Sequence, residues 1–166
     1  MSDDDLPAAG RLIGVDLGDV RIGLAISDDG QAVATPSDTL EVADALGAPL
    51  SDDGRGSADT TDEELARLAD TIVAHGEGRG AVGYVIGYPR RLDGREGSAA
   101  RRARRLCEIL QDRKDRPATL WDERLSSVEA ERTMLAQDAS RRERREATDR
   151  VAATLILQGY LDGRRS

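Results

Sequence analysis

The chain has 166 residues, enough for one domain with a sizeable core and too few for two full lobes. A single cysteine, Cys107, excludes an internal disulfide framework and a cysteine-rich zinc site, and a single histidine, His75, excludes histidine triads and histidine metal clusters. The net charge is −8 but unevenly spread: residues 1–78 hold 4 basic and 18 acidic side chains, residues 79–166 hold 20 basic and 14 acidic. A basic half of this kind is compatible with nucleic acid even in an acidic protein.

The acidic start Met-Ser-Asp-Asp-Asp lacks the basic and apolar regions of a signal peptide, and no apolar run approaches membrane-spanning length. A soluble cytoplasmic protein without a membrane partner is expected. Residues 1–10 are expected to be a disordered acidic tail ahead of a domain spanning 11–162.

Two short β-prone runs come first, Leu12-Ile13-Gly14-Val15-Asp16-Leu17 and Ile22-Gly23-Leu24-Ala25-Ile26, joined by a Gly18-Asp19 turn. Asp16 is out of place inside an apolar strand, where a carboxylate must be paired, protonated or bound to a cation. Gly14, Gly18 and Gly23 clear side chains around it, which admits another backbone, a phosphate or a metal. Strand leads to strand here, so the glycines are not a dinucleotide fingerprint. On the segment alone, Asp16 is also readable as a turn cap.

Residues 32–42 read as a third strand, with Pro36 marking an edge or a bulge. Residues 43–60 have loop composition and are expected to be a flexible insertion. Thr61 with Glu64 three residues on forms a capping box for a helix whose stripe runs Leu65, Leu68, Ala69, Ile72 and Val73, closing near His75. Ala81 to Pro89 is apolar enough to be a central strand parallel to the first. Arg90, Arg91 and Arg95 follow at its carboxyl end, where ligands of open α/β sheets sit.

A helix over about 97–113 carries Ala99, Ala103, Leu106, Ile109 and Leu110 as its buried stripe. Arg101, Arg102, Arg104 and Arg105 lie outward, as a solvated face or a contact for phosphates. Ala118 to Trp121 is a short fifth strand that emerges into Asp122-Glu123-Arg124-Leu125-Ser126-Ser127, with a further helix over about 128–136. After a charged run, Asp149 opens the stripe Ala152, Ala153, Ile156, Leu157 and Tyr160 of a last helix. By spacing alone Asp149 also suits a helix start, where the dipole favours an acid.

Four segments together resemble the YqgF family of RNase H-like nucleases, described as Holliday-junction-resolvase-like or as maturing the small-subunit ribosomal RNA precursor. They are Gly14-Val15-Asp16-Leu17-Gly18 with Arg21-Ile22-Gly23, Val85-Ile86-Gly87-Tyr88-Pro89 with Asp93-Gly94, Asp122 to Ser127, and Asp149-Arg150-Val151-Ala152-Ala153 leading to Leu161. The resemblance runs along almost the whole chain. It departs from the family pattern at Tyr88, where leucine is more typical, in the length of the 43–60 loop, and at Arg145, where a lysine often precedes the last acid.

The resemblance implies an α/β, RNase H-like mixed five-stranded sheet flanked by helices, in a single domain. It further implies that Asp16, Glu123 and Asp149 converge on divalent metal, with Asp122 as the alternative to Glu123. Two carboxylates about 4 Å apart repel by about 4 kcal/mol at a protein-surface dielectric, so a cation is required between them. Oxygen ligands favour Mg²⁺ or Mn²⁺, and two ions would clamp an in-line phosphodiester hydrolysis. Arg21, Arg90 and Arg124 are candidates for holding substrate phosphate, or for ion pairing within the acidic cluster.

The expected function is metal-dependent cleavage in 5′-end maturation of the 16S rRNA precursor, with precursor rRNA and a pre-ribosomal particle as partners. A Holliday-junction-type resolvase acting on branched DNA, or a non-catalytic RNA-binding assembly factor, are the alternatives. An ATP-binding fold of the actin and sugar-kinase type shares the opening hairpin but needs two lobes, which this length does not supply.

Overall fold

A computed structural model describes residues 6–50, 60–90, 93–113, 117–123 and 141–165, the side chains of 141–148 and of 165 excepted. The strands are β1 (Arg11–Leu17), β2 (Arg21–Ser27), β3 (Ala34–Glu41), β4 (Ala81–Tyr88) and β5 (Ala118–Asp122). The helices are α1 (Val42–Leu46), α2 (Asp62–Glu77), α3 (Ser98–Gln111) and α4 (Arg141–Arg165). One mixed sheet has the order β3-β2-β1-β4-β5. The β1–β2–β3 meander is antiparallel, while β4 joins β1 and β5 joins β4 in parallel. Parallel neighbours require crossovers, and α2 and α3 supply them.

Side chains alternate across the sheet, so each strand feeds two cores. Ile13, Val15, Ile22, Leu24, Tyr84 and Ile86 join Leu65, Leu68, Ile72, Leu106 and Leu110 under α2 and α3. On the other face Leu12, Ala25 and Val85 meet Ala152, Ala153, Ile156, Leu157 and Tyr160 of α4. Gly14 lets α4 lie close to the strands: a Cβ there would stand 2.7 Å from the Leu157 Cβ and 2.8 Å from the Ala153 carbonyl oxygen.

The capping box of α2 forms as the spacing predicts, with the Glu64 amide donating to Thr61 Oγ1 at 3.2 Å and the Thr61 amide donating to Glu64 Oε2 at 3.0 Å. Pro36 sits on edge strand β3, opposite Ala25, where the β2–β3 register shifts after Leu24. His75 ends the helix buried, with Nε2 2.8 Å from the Ser37 hydroxyl. Burial, and after it the nearby Arg79 charge, hold its pKa below 6.5. Burial foremost pushes the Cys107 thiol up to about 12, so it is no nucleophile at neutral pH.

Several local expectations are corrected. Residues 6–10 are not a disordered tail: Leu6 is buried against the α4 core, and the Arg164 guanidinium donates to the Leu6 and Pro7 carbonyls. Val42, expected to end the third strand, and residues 43–46, expected to be loop, form a helix instead, with Val42 and Leu50 buried in the α2 core. Ala99 is exposed, and Ala100 and Cys107 take the buried stripe of α3 with Ala103, Leu106 and Leu110. Asp149 lies inside α4, not at its start. Residues 1–5, 51–59 and the expected 128–136 helix lie outside the described residues.

The charge asymmetry of the sequence is partly folded away. Arg102, Arg105 and Arg113 from the basic half pair with Asp19, Asp62 and Asp70 from the acidic half. Arg104 pairs with Glu96 at 2.9 Å. Three of the four α3 arginines proposed for phosphate are therefore engaged with carboxylates.

Candidate active site at the carboxyl end of the central strands

Asp16 is 9% exposed and points to the α4 face, since its neighbours in alternation, Leu12 and Gly14, pack on that helix. Its cross-strand partner in β2 is Gly23. On the other side, the parallel register that sets Val15 beside Ile86 brings Gly87 level with Asp16. A row Gly23–Asp16–Gly87 thus crosses three strands, with the acid in the middle and no side chain to either hand.

Each glycine is covered by another of the expected acids. Over Gly23 lies the backbone of Asp149; an added Cβ would collide with its carbonyl oxygen and stand 3.2 Å from its Cα. Over Gly87 lies the Glu123 carboxylate, with Oε1 2.6 Å from where a Cβ would be and Ile156 Cδ1 at 2.5 Å. Three acids separated by 107 and 26 positions in the chain therefore gather on one face, in the order Asp149, Asp16, Glu123.

Asp122 goes the other way. Leu120 packs with the α2 and α3 core and Trp121 with α4, so alternation puts Asp122 on the side of Leu120. Trp121 stands edge-on to Tyr160 at 6.3 Å, which anchors the end of β5 just before Glu123 turns inward.

Arg21 meets the cluster directly. It lies two residues before Gly23 on the same face of β2, and its Nε donates to Asp149 Oδ2 at 2.8 Å across 128 residues of chain. Arg90 is occupied nearby but apart: it donates to the Gly94 carbonyl at 3.1 Å and lies 5.9 Å from the centre of the Tyr88 ring. Arg124 lies outside the described residues. Among the described residues, no three His, Cys, Asp or Glu side chains stand close enough to close a metal site as they are placed.

Sequence reasoning missed how the β4–α3 loop is tied. The Tyr88 hydroxyl donates to Glu96 Oε2 at 2.5 Å, and Glu96 also takes Arg104. Burial, and then the Glu96 bond, raise the Tyr88 pKa, so the phenol keeps its proton at neutral pH. The signal was the tyrosine itself, a polar-tipped ring at the end of an apolar strand.

A family model described as "RuvX: Holliday junction resolvase" matches residues 10–163. The chain belongs to the RuvX family. A relative from Rhodobacter capsulatus, named "Putative pre-16S rRNA nuclease", is 40% identical over 95% of this chain and 86% of its own length. Another of the same name from Cereibacter sphaeroides is 42% identical over the same shares. Among solved structures, the yeast mitochondrial Holliday junction resolvase Ydc2 superposes with a TM-score of 0.53 over 96% of this chain and 80% of that one. Thermus thermophilus RuvC in complex with Holliday junction substrate gives 0.51 over 94% and 96%. At 12% identity these two are likenesses of fold, and the fold is the RNase H-like one expected of the RuvX family.

Membership makes this RuvX protein a hydrolase of phosphodiester bonds, with nucleic acid as its substrate class. Nucleases of this kind depend on divalent metal. The residues fit such an ion by the chemistry of the donor set: the acids brought to the face of Asp16 offer carboxylate oxygens, the ligand type of hard divalent cations. No described helix is long and apolar enough to cross a membrane.

Proposed function

We propose that this protein is a Mg²⁺- or Mn²⁺-dependent nuclease that trims the 5′ end of the 16S rRNA precursor in the cytoplasm, on free precursor or on a pre-ribosomal particle. Asp16 is the central ligand, Glu123 and Asp149 complete the two sides, and the number of ions is taken as two. The observation that carries the reading is the row Gly23–Asp16–Gly87, with the Glu123 carboxylate over Gly87 and the backbone of Asp149 over Gly23. Glu123 is preferred to Asp122 because its carboxylate is the one over Gly87.

When bound, the metal supplies Lewis acidity to the scissile phosphate and a hydroxide nucleophile at neutral pH. The chain's own part is to hold the carboxylates on rigid strands and on α4, so that no reorganisation is needed as charge develops. Arg21, Arg90 and Arg124 are the guanidinium groups offered to substrate phosphates. The names of the relatives favour the ribosomal RNA precursor. A second reading, resolution of branched DNA, is favoured by the description of the matching family.

The test is cleavage of a precursor carrying the 16S 5′ extension, a four-way DNA junction and an unrelated structured RNA, each with Mg²⁺, Mn²⁺ or chelator. Metal-dependent cutting of the precursor that Asp16→Asn abolishes is the expected result. Preference for the junction would establish the second reading, and RNA binding without cutting in any metal would leave only an assembly factor.

A further inference from the structure

The Arg21–Asp149 pair is built into the fold rather than left to side-chain chance. Arg21 is fixed by β2, two residues from Gly23, and Asp149 is fixed by α4 with its backbone pressed onto that same glycine. The two side chains are 17% and 23% exposed, and the guanidinium takes Oδ2 at 2.8 Å. Gly23 in turn faces Asp16 across the hairpin. Arg21 therefore stands two residues along β2 from the acid row, on the same face, with its guanidinium on Asp149.

Any divalent ion drawn to Asp16 and Asp149 meets a cation already on one of its ligands. A guanidinium and a metal compete for the same carboxylate, because each lowers its negative potential and the two repel.

We propose that Arg21 is a placeholder cation: it neutralises Asp149 in the metal-free protein, sets the metal affinity by competing for that carboxylate, and is released when the ion enters. This rests on the metal-nuclease reading above. Arg21 is then a positioning residue for Asp149. Once free, it stands beside the row on the same face of β2, within reach of a substrate phosphate held there. A single cation thus serves the acids before metal binding and the substrate after it.

The experiment is Mn²⁺ binding to the full chain without nucleic acid, by calorimetry and by electron paramagnetic resonance, for wild type, Arg21→Gln, Arg21→Lys and Asp149→Asn. Arg21→Gln is expected to bind Mn²⁺ about tenfold more tightly, the scale of one charge-assisted contact. Its metal-free Tm should fall and its rise on adding Mn²⁺ should exceed that of wild type. Arg21→Lys, which keeps the charge but not the Nε donor, should lie between. In the Asp149→Asn background, Arg21→Gln should change nothing.

Equal or weaker Mn²⁺ binding by Arg21→Gln overturns the proposal while leaving the metal reading intact; a merely structural role would lower Tm without tightening the ion. Failure of both wild type and variant to bind Mn²⁺ overturns the metal reading and this proposal with it. If Arg21→Gln does not fold by circular dichroism, Arg21→Lys decides, tighter binding supporting the proposal and unchanged binding overturning it.

Discussion

The two faces of the sheet are made by the same strands and differ in almost everything else. Toward α2 and α3, β1 and β4 present Ile13, Val15, Tyr84 and Ile86, all fully buried in a closed apolar core. Toward α4 the same strands present Gly14, Asp16 and Gly87, and the helix must come near the backbone to cover them. Adjacent residues on one strand thus belong to different physical problems: Ile86 keeps the sheet folded, while Gly87 makes room for Glu123 and Ile156 beside Asp16. The lesson is that two apolar cores, one on each face, supply the stability that lets the carboxyl ends of β1 and β4 hold like charges together on the α4 side.

The comparison can be broken first at its centre. Asp16→Asn should leave the fold intact and lower kcat by on the order of 10³-fold, as expected for losing several kcal/mol of metal-borne charge stabilisation; single-turnover cleavage with the circular dichroism spectrum alongside measures it. The neighbouring pair on β4 separates the faces. Ile86→Ala should cost about 2–5 kcal/mol of stability through the cavity it leaves, with Mn²⁺ affinity per folded molecule unchanged. Gly87→Ala should cost less, about 1–3 kcal/mol, but displace Glu123 and Ile156 and weaken Mn²⁺ binding. Denaturant titration with calorimetry would test both, and equal metal affinities in the two variants would contradict the division of labour.

Gly23→Ala sharpens the point from the other end of the row. The methyl would strike the Asp149 backbone, so α4 must shift, at a similar cost of about 1–3 kcal/mol, and metal affinity should fall with it. The smallest expected effect lies on the apolar side, at His75. Burial holds its folded pKa below the unfolded 6.5, so the unfolded chain takes the proton first as pH falls. That stabilising contribution is complete above pH 6.5 and is lost as pH drops through the folded value. Tm measured across the window below pH 6.5 should decline more steeply in wild type than in His75→Asn, with metal affinity at neutral pH the same in both.

Much of the architecture was legible because it is local. The Thr61 and Glu64 pair announced the start of α2, Pro36 announced an edge strand with a register shift, and two-residue alternation gave β1 and β2. Legibility failed where distant partners decided. Ala99 and Ala100 are indistinguishable in apolarity, and only the angle at which α3 meets α2 and the sheet chooses Ala100. The acid at position 149 looked fit to start a helix, since nothing local says that the helix already runs from Arg141.

Sequence alone determined which residues are chemically out of place: an aspartate in an apolar strand, glycines where strands want side chains, an acid in line with the stripe of a helix. It also determined the RuvX family, because four ordered motifs spread over the chain are harder to reach by chance than any one of them. Only the tertiary structure decided that Glu123 rather than Asp122 lies over Gly87, that Asp149 rests on Gly23, and that Arg21 holds it there. The reason is distance: alternation and helical period fix where a side chain points on its own element, whereas which groups meet across more than 100 residues depends on how sheet and helix backbones pack.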